Sequence, residues 1–160
     1  MYIKRERYLS KIRPFYDVDL IKVLTGVRRC GKSILLEQIK EEFIENGFDR
    51  AHIITINFED LQFEKIRTAE KLNSYVNEQI KDHDKYLIFL DEIQECPNAR
   101  CAIKFLVEDG RFDYIESGSL LGVRYKEVPS YAVGYEEICY MYPMDFEEYI
   151  RANGVQDSTI

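Results

Sequence analysis

The residues with the plainest chemical purpose are Gly26-Val27-Arg28-Arg29-Cys30-Gly31-Lys32-Ser33, which fit G-x-x-x-x-G-K-[ST] at every fixed position. That spacing suits a polyphosphate. Glycine at both ends lets the backbone curl around anionic oxygens without Cβ clashes. A helix opening directly after the loop adds unpaired N–H donors and a positive dipole end. The expected cradle is therefore Gly26, Val27, Arg28, Arg29, Cys30, Gly31, Lys32, Ser33 and Ile34. Lys32 would reach the β- and γ-phosphates, and the Ser33 hydroxyl would complete a Mg²⁺ shell. A second group is Asp91-Glu92, two acids closing an apolar run. Asp91 suits the metal, directly or through water, because a hard cation prefers carboxylate oxygen. Glu92 suits a general base acting on an attacking water. Ser117, with Ser119 behind it, offers a small hydroxyl within reach of a γ-phosphate or of that water. Arg28, Arg29 and Arg124 are candidate sources of positive charge for a transition state. A polyphosphate with Mg²⁺ is the expected ligand.

These residues work only if a scaffold gathers them. Leu20 to Thr25 reads as a buried strand before the loop, and Leu35, Leu36, Ile39 and Phe43 repeat at helical spacing after it, up to Asn46-Gly47. His52 to Phe58 is a β-branched strand. Thr68 to Asp82 reads as a helix with Leu72, Tyr75, Val76 and Ile80 on one side. Lys85 to Glu92 is the near-continuous apolar run of a parallel strand covered on both faces. Ala99 to Glu108 reads as a short helix, Phe112 to Glu116 as a fourth strand, Glu137 to Met141 as a fifth, and Met144 to Arg151 as a last helix. Alternating strands and helices predict an α/β fold with a parallel sheet, whose ligands sit at the carboxyl ends of the strands.

Bulk properties agree with one domain. The chain has 160 residues, 46% hydrophobic and 32% charged, with no apolar run of membrane-spanning length and no signal-peptide core at its start. A cytoplasmic protein is the default expectation. Cys30, Cys96, Cys101 and Cys139 form no C-x-x-C pair and lie far in sequence from His52 and His83, so a zinc site is not expected. The thiols read as reduced and mostly buried, with Cys30 the one whose loop position could make it reactive. A net charge of −7 argues against a general nucleic-acid clamp. Residues 1–14 read as an amphipathic leader with a solvated basic face (Lys4, Arg5, Arg7, Lys11, Arg13) that stops before Pro14. Residues 15–160 read as the nucleotide-binding core.

Together with the loop, Leu-Asp-Glu-Ile-Gln at 90–94, Ser-Gly-Ser-Leu-Leu-Gly at 117–122 and Tyr-Pro-Met-Asp-Phe-Glu-Glu-Tyr at 142–149 resemble the AAA-type ATPases of archaea and bacteria, in the archaeal-ATPase and STAND-like branches of the AAA+ superfamily. The resemblance implies a P-loop NTPase core, a three-layer α/β/α sandwich with sheet order 5-1-4-3-2. It implies ATP with Mg²⁺, Lys32 and Glu92 in catalytic roles, Ser33 and Asp91 at the metal, and Ser117 as the first sensor. Relatives often carry a Gly-Arg pair before the last strand; here Tyr135 follows Gly134. The helical lid and second sensor of such proteins are expected outside these residues, along with a region through which a homo-oligomer or a client protein could be engaged.

Three functions follow as expectations. The first is ATP hydrolysis. The second is a nucleotide-dependent switch with little turnover. The third is the ATPase part of a nucleic-acid-linked or defence protein, with DNA reached through the basic leader. A GTPase is not expected, because no Asn-Lys-x-Asp motif is present and the acidic site is Asp-Glu rather than Asp-x-x-Gly.

Overall fold

The apolar runs end up covered on both sides of one sheet. The computed structural model describes residues 3–96, 98–119 and 136–154. Its strands are β1 (Ile21–Gly26), β2 (Ile53–Asn57), β3 (Tyr86–Asp91), β4 (Phe112–Gly118) and β5 (Glu136–Met141). All neighbouring pairs are parallel, in the order β2-β3-β4-β1-β5. This is the 5-1-4-3-2 arrangement read from the other edge. The helices are α1 (Glu6–Ile12), α2 (Lys32–Glu45), α3 (Ala69–Gln79), α4 (Ala99–Glu108) and α5 (Phe146–Ala152).

Strand alternation divides the core in two. Tyr86, Ile88 and Leu90 of β3 face one side, with Phe112 and Tyr114 of β4 and with Leu72, Val76, Ala102, Ile103 and Leu106 from α3 and α4. Leu87 and Phe89 face the other, with Leu24, Ile115, Cys139 and Met141 and with Leu35, Leu36 and Ile39 of α2. Each large apolar side chain so buried contributes about 1.5–3 kcal/mol.

The leader is amphipathic, with Lys4, Arg7 and Lys11 exposed and its apolar side built into the core. Tyr8, Leu9 and Ile12 of α1 belong to the α2-side cluster. Three of its basic residues are also matched to acids: Arg7 to Asp145, Arg13 to Glu6 and Glu42, and Lys4 to Glu42, while Lys11 lies over the Tyr8 ring. Arg5 is buried outright, 5% exposed. Pro14 sits in a 3-10 turn over Arg13–Phe15 that follows the helix directly.

Two boundaries move for local reasons. The helix expected up to Asp82 stops at Gln79, because Ile80 turns extended and the Lys81 N–H donates to the Tyr86 hydroxyl at 2.9 Å. β4 runs two residues beyond Glu116, because Ser117 and Gly118 pair with Leu24 and Thr25 of β1. Ser117 therefore belongs to the sheet rather than to a turn after it. α5 starts at Phe146 under a capping box in which Asp145 and Glu148 exchange side-chain-to-backbone bonds.

Candidate functional site

β1 delivers the loop at its carboxyl end. Gly26 aligns with Met141 of β5, and a Cβ there would stand 2.2 Å from the Met141 carbonyl oxygen. The first glycine is thus demanded by the neighbouring strand as well as by any phosphate. The loop then curls through left-handed backbone at Arg29 (φ 66°) and Gly31 (φ 97°), and Gly31 becomes the N-cap of α2. Val27, Arg28 and Arg29 are exposed, and Arg28 lies 3.7 Å from Glu59. Cys30 is not the accessible thiol that its loop position suggested. It is 3% exposed, with its sulfur in the α2-side core and 4.0 Å from Lys32 Nζ. Cys96 and Cys139 are also buried, and burial pushes both thiols up, Cys96 to about 11. Cys101 is exposed, so three of the four thiols are buried, in line with the expectation of mostly buried cysteines.

Lys32 opens α2 and folds back over its own loop. Its ammonium donates to the carbonyls of Val27 at 3.0 Å and Gly26 at 3.2 Å, and the residue is 4% exposed. Ser33 and Ile34 follow on the exposed side of the first turn.

Two strands away, β3 ends at Asp91. Val23 of β1 and Leu90 of β3 both align with Glu116 of β4, so Leu24, Ser117 and Asp91 share the next level of the sheet. Loop, serine and acids therefore gather at one end. Ser117 is fully buried and its hydroxyl donates to Asp91 Oδ1. The Glu92 N–H donates to the same oxygen at 3.1 Å. Among the described residues, the hydrogen bonds to the Asp91 carboxylate fall on Oδ1, which leaves Oδ2 for a metal. A hydroxyl and a carboxylate, Ser33 and Asp91, are the oxygen donors a Mg²⁺ ion takes.

Glu92 has left-handed backbone (φ 54°), an uncommon state for a residue with a side chain. Its carboxylate is held: Gln94 Nε2 donates to Oε2, and the Ser119 hydroxyl donates to the same oxygen at 3.2 Å. Just before Ser117, Glu116 contacts Arg100, which also reaches Glu136 of β5. Burial pushes the Glu116 carboxyl up to about 7 against the pull of that guanidinium. Arg124, Gly134 and Tyr135 lie outside the described residues.

Four participants escaped the sequence reading. Gln94 sits within the quoted Leu-Asp-Glu-Ile-Gln run, where its amide reaches back to Glu92. Ile3 and Met144 join Arg5, Arg29, Gly31 and Ile34 around a cavity of about 280 Å³ beside the loop. Arg5 was grouped with solvated cations, yet positions 5, 8, 9 and 12 form one helical stripe, and that spacing was the available signal.

A family model described as an AAA domain matches residues 19–150. The chain is 31% identical over 159 residues to an uncharacterised protein of Haemophilus influenzae, covering 98% of this chain and 40% of the relative. It is 30% identical over 131 residues to an uncharacterised protein of Methanocaldococcus jannaschii, covering 82% of this chain and 28% of that one. The chain thus spans well under half the length of these relatives. Among solved structures, it resembles Caenorhabditis elegans PCH-2 with a TM-score of 0.55 at 12% identity, covering 96% of this chain and 48% of that one. It also resembles a chain of Drosophila ORC bound to AT-rich DNA and Cdc6, with a TM-score of 0.54 at 10% identity, covering 96% and 60%. At such identities the structural likeness speaks to the fold alone. With the loop, the acidic strand end and the sheet order in place, the match over residues 19–150 makes the chain a member of the AAA domain family of P-loop ATPases.

Proposed function

We propose that the chain binds ATP with Mg²⁺ at the 26–34 loop and hydrolyses it with Glu92 as base. The observation that carries this reading is Lys32: a buried ammonium whose oxygen partners, among the described residues, are two carbonyls of its own loop. An arriving phosphate offers that ammonium a full negative charge in place of two dipoles. The loop N–H groups and the first turn of α2 would hold the phosphate oxygens. The apolar walls of Ile3, Ile34 and Met144 suit the nucleoside. Ser33 and Asp91 would hold the metal, which supplies charge neutralisation on the phosphates when bound. Ser117 keeps Asp91 oriented, and Glu92 takes the proton of the attacking water.

A second reading, a switch with little turnover, rests on Glu92 being tied to Gln94 and Ser119. In this conformation Oε2 of the base is taken by protein donors. Pairing of four of the leader's five cations with acids favours both readings over a DNA-contacting leader.

Titration with MgATP and a phosphate-release assay test the proposal. Lys32→Ala is expected to abolish binding, and Glu92→Gln to bind ATP without hydrolysing it. A Glu92→Gln protein that turns over as fast as the parent would sink the assignment of the base. Turnover below about one per hour alongside tight binding would favour the switch.

A further inference from the structure

Arg5 has no part in the chemistry above, yet it is the most connected side chain around the loop. Nη1 donates to the Cys30 carbonyl at 2.7 Å. Nε and Nη2 grip the two oxygens of Glu148 at 2.7 and 2.8 Å, and Nη2 also reaches the Tyr142 carbonyl at 3.2 Å. The leader is seated without this side chain. Gln38 of α2 donates to the Ile3 carbonyl at 2.8 Å and accepts the Arg5 N–H at 3.1 Å, while Tyr8, Leu9 and Ile12 fill the core. A buried guanidinium is therefore not needed merely to attach α1.

We propose that Arg5 is a positioning residue of the nucleotide site: it fixes the Cys30–Gly31 peptide of the loop, and Glu148 of α5 fixes Arg5. The inference rests on the nucleotide reading above. Its physical basis is the planar trans peptide, in which the Cys30 carbonyl and the Gly31 N–H point in opposite directions. Drawing the carbonyl onto Arg5 turns the Gly31 N–H to the side away from the leader. A donor whose direction is already set needs no reorganisation when it meets a phosphate. Gly31, in left-handed backbone at φ 97°, is where that peptide turns into α2, and a Cβ there would lie 3.4 Å from Arg5 Nη1. The bidentate grip of Glu148 holds the guanidinium in plane for this contact. The seating of α5 thereby sets the shape of the loop.

The test uses three proteins, each carrying Cys101→Ser to remove the exposed thiol: the parent, Arg5→Lys, and Arg5→Met/Glu148→Met. The double variant removes both buried charges together and so leaves neither unpaired. Two quantities are read: MgATP affinity by calorimetry, and the labelling rates of Cys30, Cys96 and Cys139 by mass spectrometry without nucleotide. Loss of a charge-assisted bond predicts MgATP affinity about tenfold weaker in both variants. It also predicts Cys30 labelling about tenfold faster, with Cys96 and Cys139 at the parental rate. Affinity within about twofold of the parent overturns the proposal. So does a Cys30 rate that stays parental, and so does acceleration of all three thiols together, which marks a role in overall stability. If the parent itself binds no MgATP, the nucleotide reading fails, while the selective response of Cys30 still decides whether Arg5 holds the loop.

Discussion

Lys22 and Lys32 are both buried, at 1% and 4% exposure, and they are held in opposite ways. Lys22, near the start of β1, places its ammonium on the Asp113 carboxylate and on the Val18 carbonyl at 2.7 Å. The Asp17 N–H adds a second bond to Asp113 at 3.1 Å. Burial pulls Lys22 down and pushes Asp113 up, and each charge counters the shift of the other. That end of the sheet is closed on itself. Lys32, past the other end of β1, has carbonyls where Lys22 has a carboxylate. One end of the strand pairs its buried charge with an acid, and the other leaves a buried charge on carbonyls, as the proposed phosphate site requires.

The largest expected effect breaks the closed end. Lys22→Met leaves Asp113 buried and unpaired, and chemical denaturation should show a loss of about 3–5 kcal/mol. Adding Asp113→Leu should recover most of it, since well-packed apolar substitutes for a buried pair are often neutral. In the protein that remains folded, MgATP affinity should match the parent. The counterpart, Lys32→Met, should leave stability within about 1.5 kcal/mol of the parent, because only bonds to carbonyls are lost. Calorimetry should then find MgATP binding weakened at least about 100-fold. If the two variants cost equal stability, the contrast between the lysines fails.

What the sequence disclosed follows the same division. The loop, the acidic pair and the parallel α/β layout were legible because each rests on local pattern: fixed glycine spacing, apolar runs with burial on both faces, and alternation of strand and helix; the strand order came only from the resemblance to AAA-type ATPases. Ser117 was placed beside the acids, but its place within β4 was not visible, since pairing with Leu24 is a register decision between distant strands. Arg5 and Glu148 could not be matched from sequence. They meet across 143 positions, and composition treats each as one surface charge among many. The pinning of Glu92 by Gln94 and Ser119 has the same origin, since it depends on side-chain direction after a left-handed residue.

The smallest effect concerns a second buried carboxylate on β4, three residues from Asp113. Glu116 stands toward the loop end of the sheet, yet it faces a cation as Asp113 does at the closed end, here Arg100. Burial outweighs that pair and raises its carboxyl from 4.5 to about 7. Between those values the folded protein keeps a proton that the unfolded chain has released. The contribution to stability is therefore complete below 4.5 and is lost as pH rises through about 7. Glu116→Gln holds the neutral form at every pH. Relative to the parent, the variant should gain on the order of 2 kcal/mol between pH 4.5 and pH 8, read from denaturation midpoints across that range. A parent and variant that keep the same difference at both ends would mean that Arg100 holds Glu116 ionised throughout. The carboxylate beside Ser117 would then belong with the reserved charges of the site rather than with the closed pairs of the fold.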